Sequence, residues 1–128
     1  MKKALAGSVA ALAALGLLGG PAHANDRDVI REGSCSARSD WKLKLSPENG
    51  RIEIEFEVDQ NVVGQVWKVV IRDNGNLVFK GNKTTLAPSG SFEARRVVTN
   101  LAGADNVVAR ATNAQTGEVC RGSATANF

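Results

Sequence analysis

The chain contains no tyrosine, and its only methionine and only histidine, Met1 and His23, fall within the first 24 residues. Those residues read as a removable export leader. "MKK" is a basic start, residues 4–18 form an uncharged apolar run, and "AHA" at 22–24 has the small-x-small pattern of a cleavage site. The run is too short for the ~20 residues that cross a bilayer. No cysteine follows it to take a lipid, and "GSATANF" at the C-terminus offers no apolar or basic anchor. The sequence therefore predicts a secreted, extracellular product without a stable membrane anchor.

Once the leader is gone the chain lacks histidine, and this excludes much chemistry. Ser-His-Asp triads and most general acid–base designs are out of reach. Zinc, copper and haem sites draw on His, free Cys or Met. No glycine-rich phosphate loop stands between a strand and a helix. The expectation is a protein that is not an enzyme and needs no metal or cofactor. A strong charge is missing too. The formal charge of +3 for the whole chain includes Lys2 and Lys3 of the leader, and without them 14 basic residues face 13 acidic ones. A near-neutral chain has no general pull toward nucleic acid.

Cysteine is scarce but even in number. Cys35 and Cys120 lie near opposite ends of residues 25–128, with no C-x-x-C spacing. In an exported chain such a pair reads as a structural disulfide.

What is abundant is alternation. "RIEIEFEVD", residues 51–59, places Ile52, Ile54, Phe56 and Val58 on one parity and Glu53, Glu55 and Glu57 on the other. That is a half-buried strand with a charged outer face. "WKLKL" at 41–45 complements it across a turn drawn from "SPENGR". Setting Leu45 opposite Ile52 pairs Lys44 with Glu53, Leu43 with Ile54, Lys42 with Glu55 and Trp41 with Phe56. The glutamates are then a solvated face matched by lysines. Glycosidase carboxylates flank a cleft, and calcium wants six or more oxygens from a curled loop; an open strand face supplies neither.

"QVWKVVIRD" at 65–73 carries apolar residues on both sides and reads as a central strand. "DNGN" then demands a type I′ turn at Asn74-Gly75. "LVFKG", "SFEARRVV", "NVVARATN" and "EVCRGSATA" follow at intervals set by Gly, Asn and Pro. No convincing helical period occurs after residue 32. The reading is all-β: seven or eight antiparallel strands in one domain over residues 33–128, after a polar lead-in or edge at 25–32. A Cys35–Cys120 bond would tie the first strand to the last.

"NLAGADNVVARATNAQTGE", residues 100–118, resembles the last two strands of an immunoglobulin-like or fibronectin type III sandwich, with Leu101 opening the turn and Ala111-Thr112-Asn113 closing the strand. The corner tyrosine of that pattern would fall on Val107. The chain as a whole is similar to small exported actinobacterial β-sandwich proteins of unassigned function. The resemblance implies a scaffold that hosts adhesion modules, inhibitors, carriers and spacers, and so selects no function.

Candidate binding residues are Phe79, on a strand that could be an edge; Pro88, in the loop "LAPSG" at 86–90; and Arg95 and Arg96, which must point to opposite faces of their strand. Trp41, Phe56 and Trp67 are expected in the core. The favoured expectation is a non-catalytic binding protein whose partner is an extracellular protein or a cell-wall component. A carrier of a small apolar ligand, which needs a cleft between sheets, comes second. A protease inhibitor using residues 86–90 comes third.

Overall fold

A computed structural model describes residues 27–128; the leader expected at 1–24 lies outside the described residues. Eight strands follow one another: β1 (Val29–Ser34), β2 (Asp40–Glu48), β3 (Arg51–Asp59), β4 (Val66–Asp73), β5 (Asn76–Thr84), β6 (Ser91–Thr99), β7 (Asp105–Asn113) and β8 (Val119–Ala126). They form two four-stranded antiparallel sheets, ordered β1-β2-β3-β6 and β8-β7-β4-β5. The chain crosses between sheets after β3, after β5 and after β6. This is an immunoglobulin-like β-sandwich, and β4 is central in its sheet as its two apolar sides require. The polar segment at 25–32 is a strand from Val29 onward, paired only with β2.

Alternation places the core. Leu43, Leu45, Ile52, Ile54, Phe56 and Val58 face inward from one sheet, and Trp67, Val69, Ile71, Val107, Ala109 and Ala111 from the other, all essentially without solvent exposure. Trp67 meets Phe92 of the opposite sheet at 6.0 Å between ring centroids.

The first hairpin corrects one expectation. Leu45 pairs with Ile54, Lys44 with Glu55, Leu43 with Phe56, Lys42 with Glu57 and Trp41 with Val58. The register is two residues from the one expected, because the turn is only Asn49-Gly50, with φ of 51° and 77°. A two-residue turn with both φ values positive is type I′. It forces Glu48 opposite Arg51 and keeps Pro47 inside β2. Proline is tolerated there because β1 has already ended, so its missing N–H has no neighbouring strand to serve. A shift of two preserves parity, and every inward side chain stays inward. Asn74-Gly75 repeats the same turn, with φ of 49° and 82°.

At one border the sheets close on each other through Trp41. This residue is half-buried, and its indole lies between Gly33 of β1 and Gly122 of β8. A Cβ at Gly122 would come within 2.6 Å of the ring. Gly122→Ala should therefore destabilise by roughly 1–3 kcal/mol, the usual range for overpacking. The ordinary gain on replacing a strand glycine, ~0.5–1 kcal/mol, has the opposite sign and is smaller. A urea midpoint equal to or above that of the parent would refute this wedge.

Candidate functional site

The outer face of the β1-β2-β3-β6 sheet is internally paired. Lys44 reaches Glu55 at 3.4 Å, and Arg95, from the adjacent β6, bonds Glu53 and lies 3.8 Å from Glu55 and 3.9 Å from Glu48. Glu93 stands directly opposite Glu57. Partial burial, then the negative charges of Glu55 and Glu57, hold its carboxyl above the usual carboxylate range. Arg96 turns to the other border, its guanidinium 4.5 Å from the centre of the Phe79 ring, and Phe79 is 9% exposed. The four candidate binding residues are thus not assembled into one site. Arg95 belongs to an ion network, Phe79 and Arg96 form a cation–π pair, and Pro88 stands alone in the loop between β5 and β6.

That loop is one of four at a common end of the sandwich: residues 35–39, 60–65, 85–90 and 114–118. In this architecture such loop clusters are where recognition is placed. Here they are built on a buried polar framework. The Trp67 indole N–H donates to Gln60 Oε1 at 3.0 Å, and Gln60 Nε2 donates to Gln65 Oε1 at 3.3 Å. Asn113 Nδ2 also donates to Gln65 Oε1, while its Oδ1 accepts the backbone N–H groups of Gln115 and Thr116 at 2.7 and 2.9 Å. Thr85 is wholly buried; its hydroxyl donates to Val62 O at 2.6 Å and accepts Gln65 N–H at 2.9 Å.

The N-terminal loop is fastened to β8. Glu118 is 8% exposed, and its carboxylate accepts three hydrogen bonds, from Ala37 N, Ser39 N and Ser39 Oγ, at 3.0, 2.8 and 2.8 Å. Beside it runs the Cys35–Cys120 disulfide, with Cα atoms 4.3 Å apart, as expected from the cysteine pair. Ser36 and Val119 add two further bonds across the same seam.

Loops 60–65 and 85–90 lock together by backbone contacts. Gly90 O accepts the N–H groups of Gln60 and Asn61, and Gly64 N donates to Thr85 O. Gly90 has φ of 70°, and a Cβ there would lie 2.3 Å from Val62 N, so only glycine fits. The locked pair displays Val62, Val63 and Leu86 at 48%, 54% and 63% exposure. Beside them is a trough of about 630 Å³ lined by Ala37, Arg38, Gln60, Asn61 and Thr116. Residues 86–90 form a closed turn, with Gly90 N donating to Leu86 O and Leu86 N to Ser91 O.

No protein-family model and no curated protein matches the sequence. Among solved structures the chain is similar to that of chicken MD-1 complexed with lipid IVa. The identity is 16%, over 82% of this chain and 94% of that one, with a TM-score of 0.39. A likeness of that order says nothing of what this chain binds.

Sequence reasoning missed Val62, Val63 and Glu118. The adjacent valines had a signal: two apolar β-branched residues between Asn61 and Gly64, in a stretch that otherwise reads as a turn. Glu118 had none, because its partners are about 80 residues away in sequence.

Proposed function

We propose that this is a secreted, non-catalytic recognition module whose four-loop end binds an extracellular protein. One observation carries the reading: large aliphatic side chains stand exposed on loops that the fold holds rigid. Isolated exposed apolar residues are ordinary, but three on one interlocked loop pair make a patch of the kind that marks partner surfaces. The polar framework beneath them reduces the ordering cost of association. The trough lined by Arg38, Gln60 and Asn61 supplies polar contacts at the rim, as interfaces generally have. The closed turn at 86–90 favours recognition by loop side chains over the extended presentation that a protease requires of an inhibitor.

The reading is tested with Val62→Ser/Val63→Ser/Leu86→Ser. All three side chains are exposed, so the melting temperature should stay within a few degrees of the parent. Retention of a defined secreted protein on immobilised material should fall at least tenfold. Equal retention by parent and variant, or retention only by isolated cell wall, would overturn it.

A further inference from the structure

A near-neutral total charge conceals a segregation between the two outer faces. On the β8-β7-β4-β5 sheet the outward parity carries Lys68 and Arg72 of β4, Lys80 of β5, Arg110 of β7 and Arg121 of β8, all exposed. No carboxylate shares that face. Asp73 and Asp105 are buried on the inward side, and Glu118 is buried in the seam before β8. Among the described residues no ion pair involves any of the five cations; Arg72 donates one hydrogen bond, to Gly75 O at 3.3 Å. The other sheet treats its cations differently, since Lys44 and Arg95 are matched to glutamates on neighbouring strands.

The register gathers the five. Arg121 stands directly opposite Arg110, Arg110 opposite Val70, and Val70 opposite Lys80. Strands lie ~4.8 Å apart, so this line crosses the sheet over roughly 14 Å. Lys68 and Arg72 flank Val70 along β4, each about 7 Å away. Half-buried Val70 is thus ringed by four cations, and Arg121 extends the line. Like charges directly opposite each other destabilise a ladder. Arg110 and Arg121 do so with no carboxylate beside them, and a local rule broken without compensation points to function.

We infer that this face binds a linear phosphate polymer laid across the strands, a partner separate from that of the loop end. Guanidinium forks mixed with ammonium point charges suit phosphate. A row that crosses four strands suits an extended chain whose successive charges are met in turn. Single-stranded nucleic acid wants aromatic rings to stack on, and Trp67 and Phe79 of this sheet face inward. Leu77, opposite Arg72 and beside the turn, is the one strongly exposed aliphatic residue on the face, so a bilayer would gain little beyond charge. A second copy offering its acidic outer face is a poorer partner, because Glu53 and Glu55 are already engaged by Arg95 and Lys44.

The test is titration of the purified protein with long-chain sodium polyphosphate at low salt, followed by amide chemical shifts. Inorganic phosphate, oligothymidylate, polyglutamate and phosphatidylglycerol vesicles are run in parallel. Polyphosphate should give saturable shifts centred on Val70, Lys80 and Arg110, and should bind more tightly than each of the others. Five contacts should make log affinity fall against log salt with a slope of roughly −3 to −4, at the ~0.7 per charge of single strands. Arg110→Glu should weaken binding at least tenfold and leave the melting temperature equal to or above the parent's, because it turns the opposition with Arg121 into an attraction. Lys68→Gln/Lys80→Gln, at two exposed positions, should make the slope shallower by roughly 1.4. Val62→Ser/Val63→Ser/Leu86→Ser should bind polyphosphate as the parent does, so the two surfaces stand or fall separately. Absence of saturable shifts, tighter binding in any parallel arm, an unchanged affinity in Arg110→Glu, an unchanged slope in the double lysine variant, loss of binding in the loop variant, or self-association in place of polyphosphate binding would each overturn the inference.

Discussion

Replacing both Cys35 and Cys120 by alanine should lower the unfolding free energy by about 4 kcal/mol while leaving the native arrangement in place. The bond spans 85 residues of sequence. Closing a loop of that length in the unfolded chain removes entropy equivalent to roughly 4–5 kcal/mol in the chain-entropy model. In the folded state the same seam is held by other means: the three bonds to Glu118, the exchange between Ser36 and Val119, and Trp41 wedged between Gly33 and Gly122. Loss of the sulfur link should therefore act on the unfolded ensemble more than on the fold. For a domain near 100 residues, about 4 kcal/mol corresponds to a fall in melting temperature of roughly 15–30 °C. The parent treated with a strong reductant should melt with the variant, and both should keep the parent's far-ultraviolet circular dichroism below the transition. A variant within about 1 kcal/mol of the parent would mean that the entropy model does not describe this chain. Adding Glu118→Gln to the double variant should then cost more than Glu118→Gln alone, since the two devices fasten the same loop and neighbouring devices do not add independently.

The hairpins show what was legible in the sequence and what was not. Parity along "RIEIEFEVD" assigned every core residue of β3 correctly, because side-chain direction in a strand depends only on odd and even position. Register is a weaker inference. Charge and apolar matching in the first hairpin score equally well at the expected pairing and at the observed one, two residues away, and only the turn geometry of Asn49-Gly50 separates them. Pairing between strands distant in sequence was not legible at all. β6 lands beside β3, and this brings Arg95 onto Glu53 and Glu55, which the hairpin alone had assigned to lysines. Phe79 and Arg96 likewise meet only because β5 and β6 border each other across the two sheets. The loop end was half legible. Leu86 and Pro88 stand out in "LAPSG", but the framework of Gln60, Gln65, Thr85 and Asn113 joins three of the four loops by bonds that no local pattern announces. Asp73 and Asp105, buried at the end of β4 and the start of β7, were hidden for another reason. Aspartate beside Asn-Gly or Gly-Ala reads as turn chemistry, although each continues the parity of an apolar run.

Those two aspartates should make stability fall with rising pH. Burial, then the hydrogen bond and the charge of Asp105, push the Asp73 carboxyl up from 3.8 to about 7. The folded chain then holds a proton that the unfolded chain releases. Below about pH 4 both states are protonated and the contribution is complete; between about 4 and 7 only the unfolded state loses its proton, and the contribution drains away at up to ~1.4 kcal/mol per pH unit. Above about 7 both are ionised and no more is lost. The decline should total on the order of 2–4 kcal/mol. Asp73→Asn isolates it, because an amide is nearly the same shape, cannot ionise and offers Asp105 an N–H donor. Urea midpoints for parent and variant, taken at about pH 4.5, 6 and 8, should diverge steadily, the variant gaining on the parent toward alkaline pH. Carboxylates elsewhere titrate equally in both proteins and cancel in the difference, Glu93 included, since the charges that raise it are Glu55, Glu57 and Glu53 on the far face of the other sheet. Parallel midpoints across that range would show that Asp73 is already ionised and compensated near neutrality.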